Sequence, residues 1–535
     1  MQSPLKTGIV IVCVYAALYC AAVRGQNLQF GGVVMLQALG TNLNGAGIRV
    51  GQPEAVVDTN NDWEVDPVNV GQPTNLFTWF TNNVTSSMYT NSLGGDSWHA
   101  DNVGQIFYDP ISGVATNVSH VDNGEADAYY NYNIANDRGL VGSVTDAVVN
   151  QSFTFGPQDA GTQEMIDTQY DDFSMKFKTL FVSAACNYSI NPTVCAPGTS
   201  YDCISVGAFR GDSSVGPTID NGRCKPDITA YPPSWGPETS FSTPMVAGAA
   251  AILTQAARRG DGGSDTNSAA NMLTVKTLLI NGAVKPADWT NTPPSPLDYR
   301  YGSGVMNVFN SYEQLAFGRH AYDAVSTNIP VGGTHPPVVT TASIPVLSGW
   351  DYNTNTSSST NDTVNHYFFN VTNSASGASF TLTATLAWNR HQSQTAINNL
   401  ALYLYNAANS NLVTASTSVV DNVQHVYIPQ LVQGRYDLQV WKAGGAGIVS
   451  SSEPYALAWE IFSESLTVQR AGTNISLSWP AYPAGFAVAS AGSLSPPIAW
   501  STNNMPLPVF TNNRMVLDLG PTNSVQFFRL QTPDF

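Results

Sequence analysis

Glu238-Thr239-Ser240-Phe241-Ser242-Thr243-Pro244-Met245-Val246-Ala247-Gly248-Ala249-Ala250-Ala251 is the stretch that decides the fold. A serine stands four residues before a proline, and a run of small apolar residues follows. The pattern predicts a helix over Met245–Arg259, with the serine at its start. First-turn amides and the helix dipole favour negative charge developing there, which suits a nucleophile. The Ala/Gly run lets such a helix lie close to a sheet. Outward from this stretch, short β-branched runs recur at Ile48-Arg49-Val50, Ala147-Val148-Val149, Thr179-Leu180-Phe181-Val182 and Ile204-Ser205-Val206. They alternate with helical candidates such as Asn271–Ile280. Alternation of this kind predicts an α/β unit over residues 26–320, a parallel sheet with helices on both faces.

Further along the chain the periodicity changes. Residues 321–345 are rich in Pro, Gly and Thr and read as a linker. From 346 to 462, segments such as His366-Tyr367-Phe368-Phe369-Asn370-Val371 and Tyr436-Asp437-Leu438-Gln439-Val440 alternate with period two, which predicts a β-sandwich. Residues 463–535 have the same character and read as a small β module, so all-β C-terminal domains follow the α/β unit.

Of the 535 residues, 43% are apolar, enough for large buried cores, and only 11% are charged against a usual roughly 25%. The formal net charge of −17 excludes general electrostatic binding to nucleic acid or to anionic membranes. At the N-terminus, Lys6 precedes the apolar run Gly8–Ala22, the form of a secretory signal over residues 1–25 with cleavage near Gly25. No later segment is long and apolar enough to be a membrane span, so the mature chain is expected outside the membrane, secreted, periplasmic or at the cell surface. Cys13 and Cys20 leave with the signal. Cys186, Cys195, Cys203 and Cys224 remain, clustered and without a CxxC pair. Export then predicts at least one disulfide among them, with Cys195–Cys203 the first candidate because it closes a short loop.

The 238–251 stretch resembles the nucleophile motif of the subtilisin-like serine peptidases (subtilases, peptidase family S8), G-T-S-x-[AS]-x-P-x-V-A-G, at Thr239, Ser240, Ser242, Pro244, Val246, Ala247 and Gly248. Lys225-Pro226-Asp227-Ile228-Thr229-Ala230 resembles the strand before it, and Tyr301–Asn307 resembles the family's closing G-x-G-x-[VL]-N segment. The resemblance implies a subtilisin-like fold and a protein or peptide substrate. It makes Ser240 the nucleophile. Phe181–Asn187 resembles the strand ending A-A-G-N, so Asn187 inherits the oxyanion-donor role. His99, in Ser97-Trp98-His99-Ala100-Asp101-Asn102-Val103-Gly104, stands where the family has the base of H-G-T-H-V-A-G. His120 sits in a Val-Ser-His-Val strand and reads as structural. Glu54 takes the place of the family's Asp, with Asp58 four residues on as the other candidate acid. A sedolisin-type enzyme also uses Glu, but has Asp where this chain has Asn187. Val149–Thr154 resembles the substrate strand I-N-x-S-L-G, so Ser152, Phe153, Thr154, Ala185 and Cys186 are the implied substrate-binding residues.

The chemistry implied requires no cofactor. Calcium, common in the family, is a structural expectation without EF-hand-like spacing behind it. Two functions follow: a secreted serine endopeptidase, or a pseudo-peptidase kept as an extracellular binding scaffold. Glu54, Glu238 before Thr-Ser, Thr154 in place of Gly and the altered His segment favour the second. Ser240, His99 and Asn187 together favour the first.

Overall fold

The computed structural model describes residues 27–531 apart from 59, 137–145, 323–324, 373–379, 464, 472–473, 503–504, 513 and 521–524. The expected signal segment, with Lys6, Cys13 and Cys20, lies outside the described residues.

Eight strands make the principal sheet: β1 (Arg49–Glu54), β2 (Phe77–Thr81), β3 (Val84–Ser86), β4 (His120–Glu125), β5 (Val148–Gln151), β6 (Leu180–Ala184), β7 (Ile204–Ala208) and β8 (Ile228–Ala230). Their order is β8-β7-β6-β5-β1-β4-β2-β3, parallel except for the antiparallel β2–β3 edge pair. Strand alternation divides the apolar residues between two cores. Val50, Val148, Val182 and Val206 join one core, whereas their neighbours Val149 and Phe181 join the other. A sheet covered on both faces needs buried residues at consecutive positions, and β6 and β7 are buried throughout.

The first core is filled by the helix Thr239–Arg259, buried from Phe241 to Thr254. Its close approach depends on Gly248, where an added Cβ would stand 2.5 Å from Val114 Cβ. The helix begins six residues earlier than the small-residue run alone implied, at Thr239 rather than Met245. The helix Ala160–Phe177 covers the other face through Ile166, Tyr170 and Phe173. A short helix, Val33–Ala38, which the sequence reading did not anticipate, places Val33 and Leu36 in the first core.

Two antiparallel sheets follow, packed face to face around Tyr367, Leu386, Trp388, Leu438 and Trp459. One has the strands Ser326–Pro330, Asn361–Val371, Gly434–Lys442, Leu400–Asn406 and Asn411–Ser416; the other has Ser348–Thr356, Ser452–Phe462, Phe380–Trp388 and Val423–Leu431. Part of the segment read as a linker is therefore sheet. Ser326–Pro330 pairs with Asn361–Asn365 as an edge strand. An edge position tolerates the proline, so its Pro-rich composition hid the strand. The last region holds a four-stranded and a two-stranded sheet around Leu477, Trp479, Val488 and Leu517.

Buried polar contacts seat the sandwich on the α/β unit. Fully buried Arg390 ion-pairs with Glu164 (2.6 Å) and Asp171 (2.7 Å), and its backbone N–H donates to Asp202. Thr383 and Thr385 donate to the Asn281 side-chain oxygen, and Cys224 N–H donates to Asp421.

Candidate active site

The carboxyl ends of parallel strands form a crevice where ligands bind in open α/β sheets. Glu54 ends β1, Gln151 ends β5 and Ala184 ends β6. Over that edge stands the start of the Thr239–Arg259 helix. An open cleft of about 620 Å³, counting its solvent-open space, is lined there by Val57, His99, Ser152, Thr154, Asn187 and Ser240, among others.

Glu54 is fully buried, and its Oε2 accepts from His99 Nδ1 at 2.9 Å. His99 is the second residue of the helix Trp98–Tyr108, whose N-cap Ser97 accepts from the Ala100 N–H. A Glu thus reaches the ring from the end of a strand with a 2.9 Å contact. With Nδ1–H pointed at the carboxylate, Nε2 is the nitrogen left to take a proton. The imidazole's proton affinity is the balance of opposing effects. Burial lowers it, while the Glu54 charge and hydrogen bond, assisted by Glu238, raise it, and the net is above the ordinary value.

One residue of this network was not found from sequence. Gln52, buried two residues before the acid, donates from Nε2 to Glu54 Oε1 (2.9 Å) and to the Ala100 carbonyl (2.9 Å). Its Oε1 accepts from Tyr108 OH at 2.6 Å. The available signal was a glutamine inside an otherwise buried strand, where a polar side chain needs partners. Asp58 is not brought to the histidine. Its exposed carboxylate accepts from the Asn60 backbone and side-chain N–H groups, and the backbone contact holds it below its usual pKa. His120 lies outside the cleft lining, within hydrogen-bond reach of Thr78.

On the opposite wall, Ser240 is the second residue of its helix. First-turn amides have no intrahelical acceptor, and Glu238 at the N-cap supplies no side-chain cap. Pro244 has no N–H, so the Ser240 carbonyl four residues earlier lacks its helical donor. Ser152 Oγ donates to that carbonyl instead at 2.8 Å, and Ser240 Oγ donates to the Ser152 carbonyl at 3.1 Å. The proline thereby couples the serine to the strand read as substrate-binding. Ser240 Oγ points at Ser152 in this state rather than at His99. Asn187 Oδ1 accepts from Thr239 N–H (3.0 Å) and Thr239 Oγ1 (2.8 Å), which orients the amide nitrogen away from Thr239.

Ser152, Phe153, Thr154 and Cys186 line the cleft with these groups, whereas Ala185 is fully buried and not among the cleft-lining residues. The four cysteines are free thiols, so the expected disulfide, including Cys195–Cys203, is absent. Cys203 Sγ faces the carbonyls of Pro197, Gly198 and Ser200, while Cys195 hydrogen-bonds Cys186. That contact, ahead of burial, which opposes it, brings the Cys186 thiol down to about 6. The Lys225-Pro226-Asp227 motif is structural: Lys225 Nζ and Asp227 form a buried 2.7 Å ion pair, and Asp227 accepts from Ser205 N–H of the neighbouring strand. Among the described residues no group of three or more His, Cys, Asp or Glu side chains is arranged to hold a metal ion.

The fold and this cleft define a subtilisin-like unit. Residues 55–304 match the subtilase family (Peptidase_S8), a span that contains His99, Asn187 and Ser240 and begins one residue after Glu54. Over this span the chain is similar to the subtilase serine peptidases. No curated protein matches the sequence. Similar solved structures include a serine protease of Aeromonas sobria (12% identity, 92% of this chain and 88% of that one, TM-score 0.35). The same protease in complex with the chaperone ORF2 gives 12% identity, the same coverage and a TM-score of 0.37. Tripeptidyl peptidase 2 gives 12% identity over 75% of this chain and 44% of that one, with a TM-score of 0.33.

Proposed function

We propose that the protein is a secreted serine endopeptidase that hydrolyses peptide bonds through an acyl-enzyme on Ser240. The observation that carries this reading is the buried Glu54–His99 hydrogen bond opening on the cleft that also holds Ser240 and Asn187. Ser240 Oγ turns from the Ser152 carbonyl toward His99 Nε2, gives up its proton and attacks the substrate carbonyl carbon. Asn187 Nδ2 and the Ser240 N–H hold the oxyanion. His99 passes the proton to the leaving amine, and water repeats the sequence to release the acid. Glu54 stabilises the imidazolium throughout. The exposed apolar side chains Val56, Val57, Trp98, Tyr188 and Ile190 near the cleft suit a peptide with apolar residues. Secretion rests on the N-terminal apolar run. Among the described residues no helix is long and apolar enough to cross a membrane.

The pseudo-peptidase reading is favoured by one observation, the Ser240 hydroxyl engaged with Ser152. A fluorophosphonate probe decides between the two. The peptidase reading expects the probe to label the protein and to leave Ser240→Ala blank. Absence of labelling in both would select the binding scaffold.

A further inference from the structure

On the peptidase reading, the acyl side of a substrate is placed by the groups that act on it. Its carbonyl carbon must meet Ser240 Oγ, with its oxygen toward Asn187. Its leaving nitrogen must face His99, which returns the proton. The acyl residue is therefore directed away from His99, toward the wall made by Ser152, Phe153, Thr154, Ala184, Cys186 and Asn187.

At that wall two side chains close the gap between segments. Thr154 Oγ1 donates to Cys186 Sγ at 3.7 Å. Cys186 cannot easily swing aside, because its Sγ is also hydrogen-bonded by Cys195, whose own sulfur accepts from Asn191 Nδ2 at 3.3 Å. The Cys186 backbone has φ 86°, a conformation that favours glycine, yet a side chain is held there.

The geometry points to Thr154 and Cys186 as specificity-determining residues that restrict the residue on the acyl side of the cleaved bond to Gly, Ala or Ser. This rests on the peptidase reading and names its substrate class. The pair acts by occupying space and takes no part in proton transfer. Larger side chains, Leu or Phe, would have to displace two mutually bonded groups, one of them backed by Cys195.

The test uses fluorogenic peptide amides identical except for Gly, Ala, Leu or Phe at that position, on the full chain. Wild type is expected to give a kcat/KM for Ala about 100-fold above that for Phe, the scale on which pockets reject oversized groups. In Thr154→Gly/Cys186→Gly, the Phe-to-Ala ratio should rise at least about tenfold, with an absolute gain on Phe. A misfolded variant cannot produce such a gain, and glycine suits the backbone at 186. Thr154→Val, which keeps the volume and loses the hydroxyl, should keep the discrimination. Wild type that cleaves Phe as readily as Ala, or a double variant with an unchanged ratio, would overturn the inference while leaving the peptidase reading standing. A protein that cleaves none of the series and does not label with the fluorophosphonate probe would overturn both.

Discussion

On one wall of the cleft Glu54, Gln52, Tyr108 and His99 form a continuous hydrogen-bond chain, whereas on the other Ser240 and Ser152 are bonded to each other. The difference follows from charge. A buried carboxylate without partners is costly, so Glu54 has to be satisfied in the folded chain whether or not substrate is present. A hydroxyl is neutral and turns about a single bond, so Ser240 can rest on a neighbouring carbonyl and be redirected when the cleft fills. The ionic half of the site is built into the fold, and on the peptidase reading the neutral half is completed on use.

The strongest way to break this contrast is to neutralise the built half. Glu54→Gln should slow fluorophosphonate labelling by about 10³–10⁴, approaching the loss known when such an acid is replaced by its amide. Asp58→Asn should leave the same rate unchanged. Equal sensitivity at the two positions would mean that His99 is not governed by the contact seen here. On the other wall, Asn187→Ala removes one oxyanion donor. It should cost roughly 10²–10³ in kcat, with KM for a small-residue peptide little altered. A change confined to KM would show that Asn187 only binds substrate.

These two positions also show what could be read from the sequence. The helix itself was legible from its small-residue run, though its first turn was not, and Asn187 came only with the resemblance of the strand that it ends to a family motif. The sandwich was legible from period-two alternation. Glu54 and Asp58 could not be separated in one dimension, because the choice depends on which carboxylate faces a helix 45 residues away. Gln52 escaped for the same reason: its value lies in three partners on two elements. The first-choice thiol pair, Cys195–Cys203, was misread because spacing in sequence does not say which sulfurs face each other. Cys195 looks toward Cys186, and Cys203 toward backbone carbonyls.

The smallest effect sharpens the contrast through pH. On the peptidase reading His99 must be neutral to accept the serine proton, so acylation should fall as pH drops through its pKa, which lies above the ordinary value. Glu238 contributes to that elevation from the nucleophile's side of the cleft. Glu238→Gln removes a negative charge near the ring and should move the acidic limb of the kcat/KM profile to lower pH. A limb that stays in place would leave Glu54 as the sole source of the shift. A limb that moves upward would contradict the assigned electrostatics.

The seat of Arg390 has a consequence for the order in which a newly made chain can mature. Its partner Glu164 is 226 residues earlier. At the usual roughly 5–20 residues per second, the ribosome needs about 10–45 s to supply that guanidinium. During this interval Asp171 lacks the guanidinium it pairs with in the folded chain, whereas Asp202 already has Lys276 nearby, so the helix Ala160–Phe177 has reason to stay loosely docked. The helix Ala160–Phe177 therefore gains its last ionic contacts only once the sandwich strand region around Arg390 has been made.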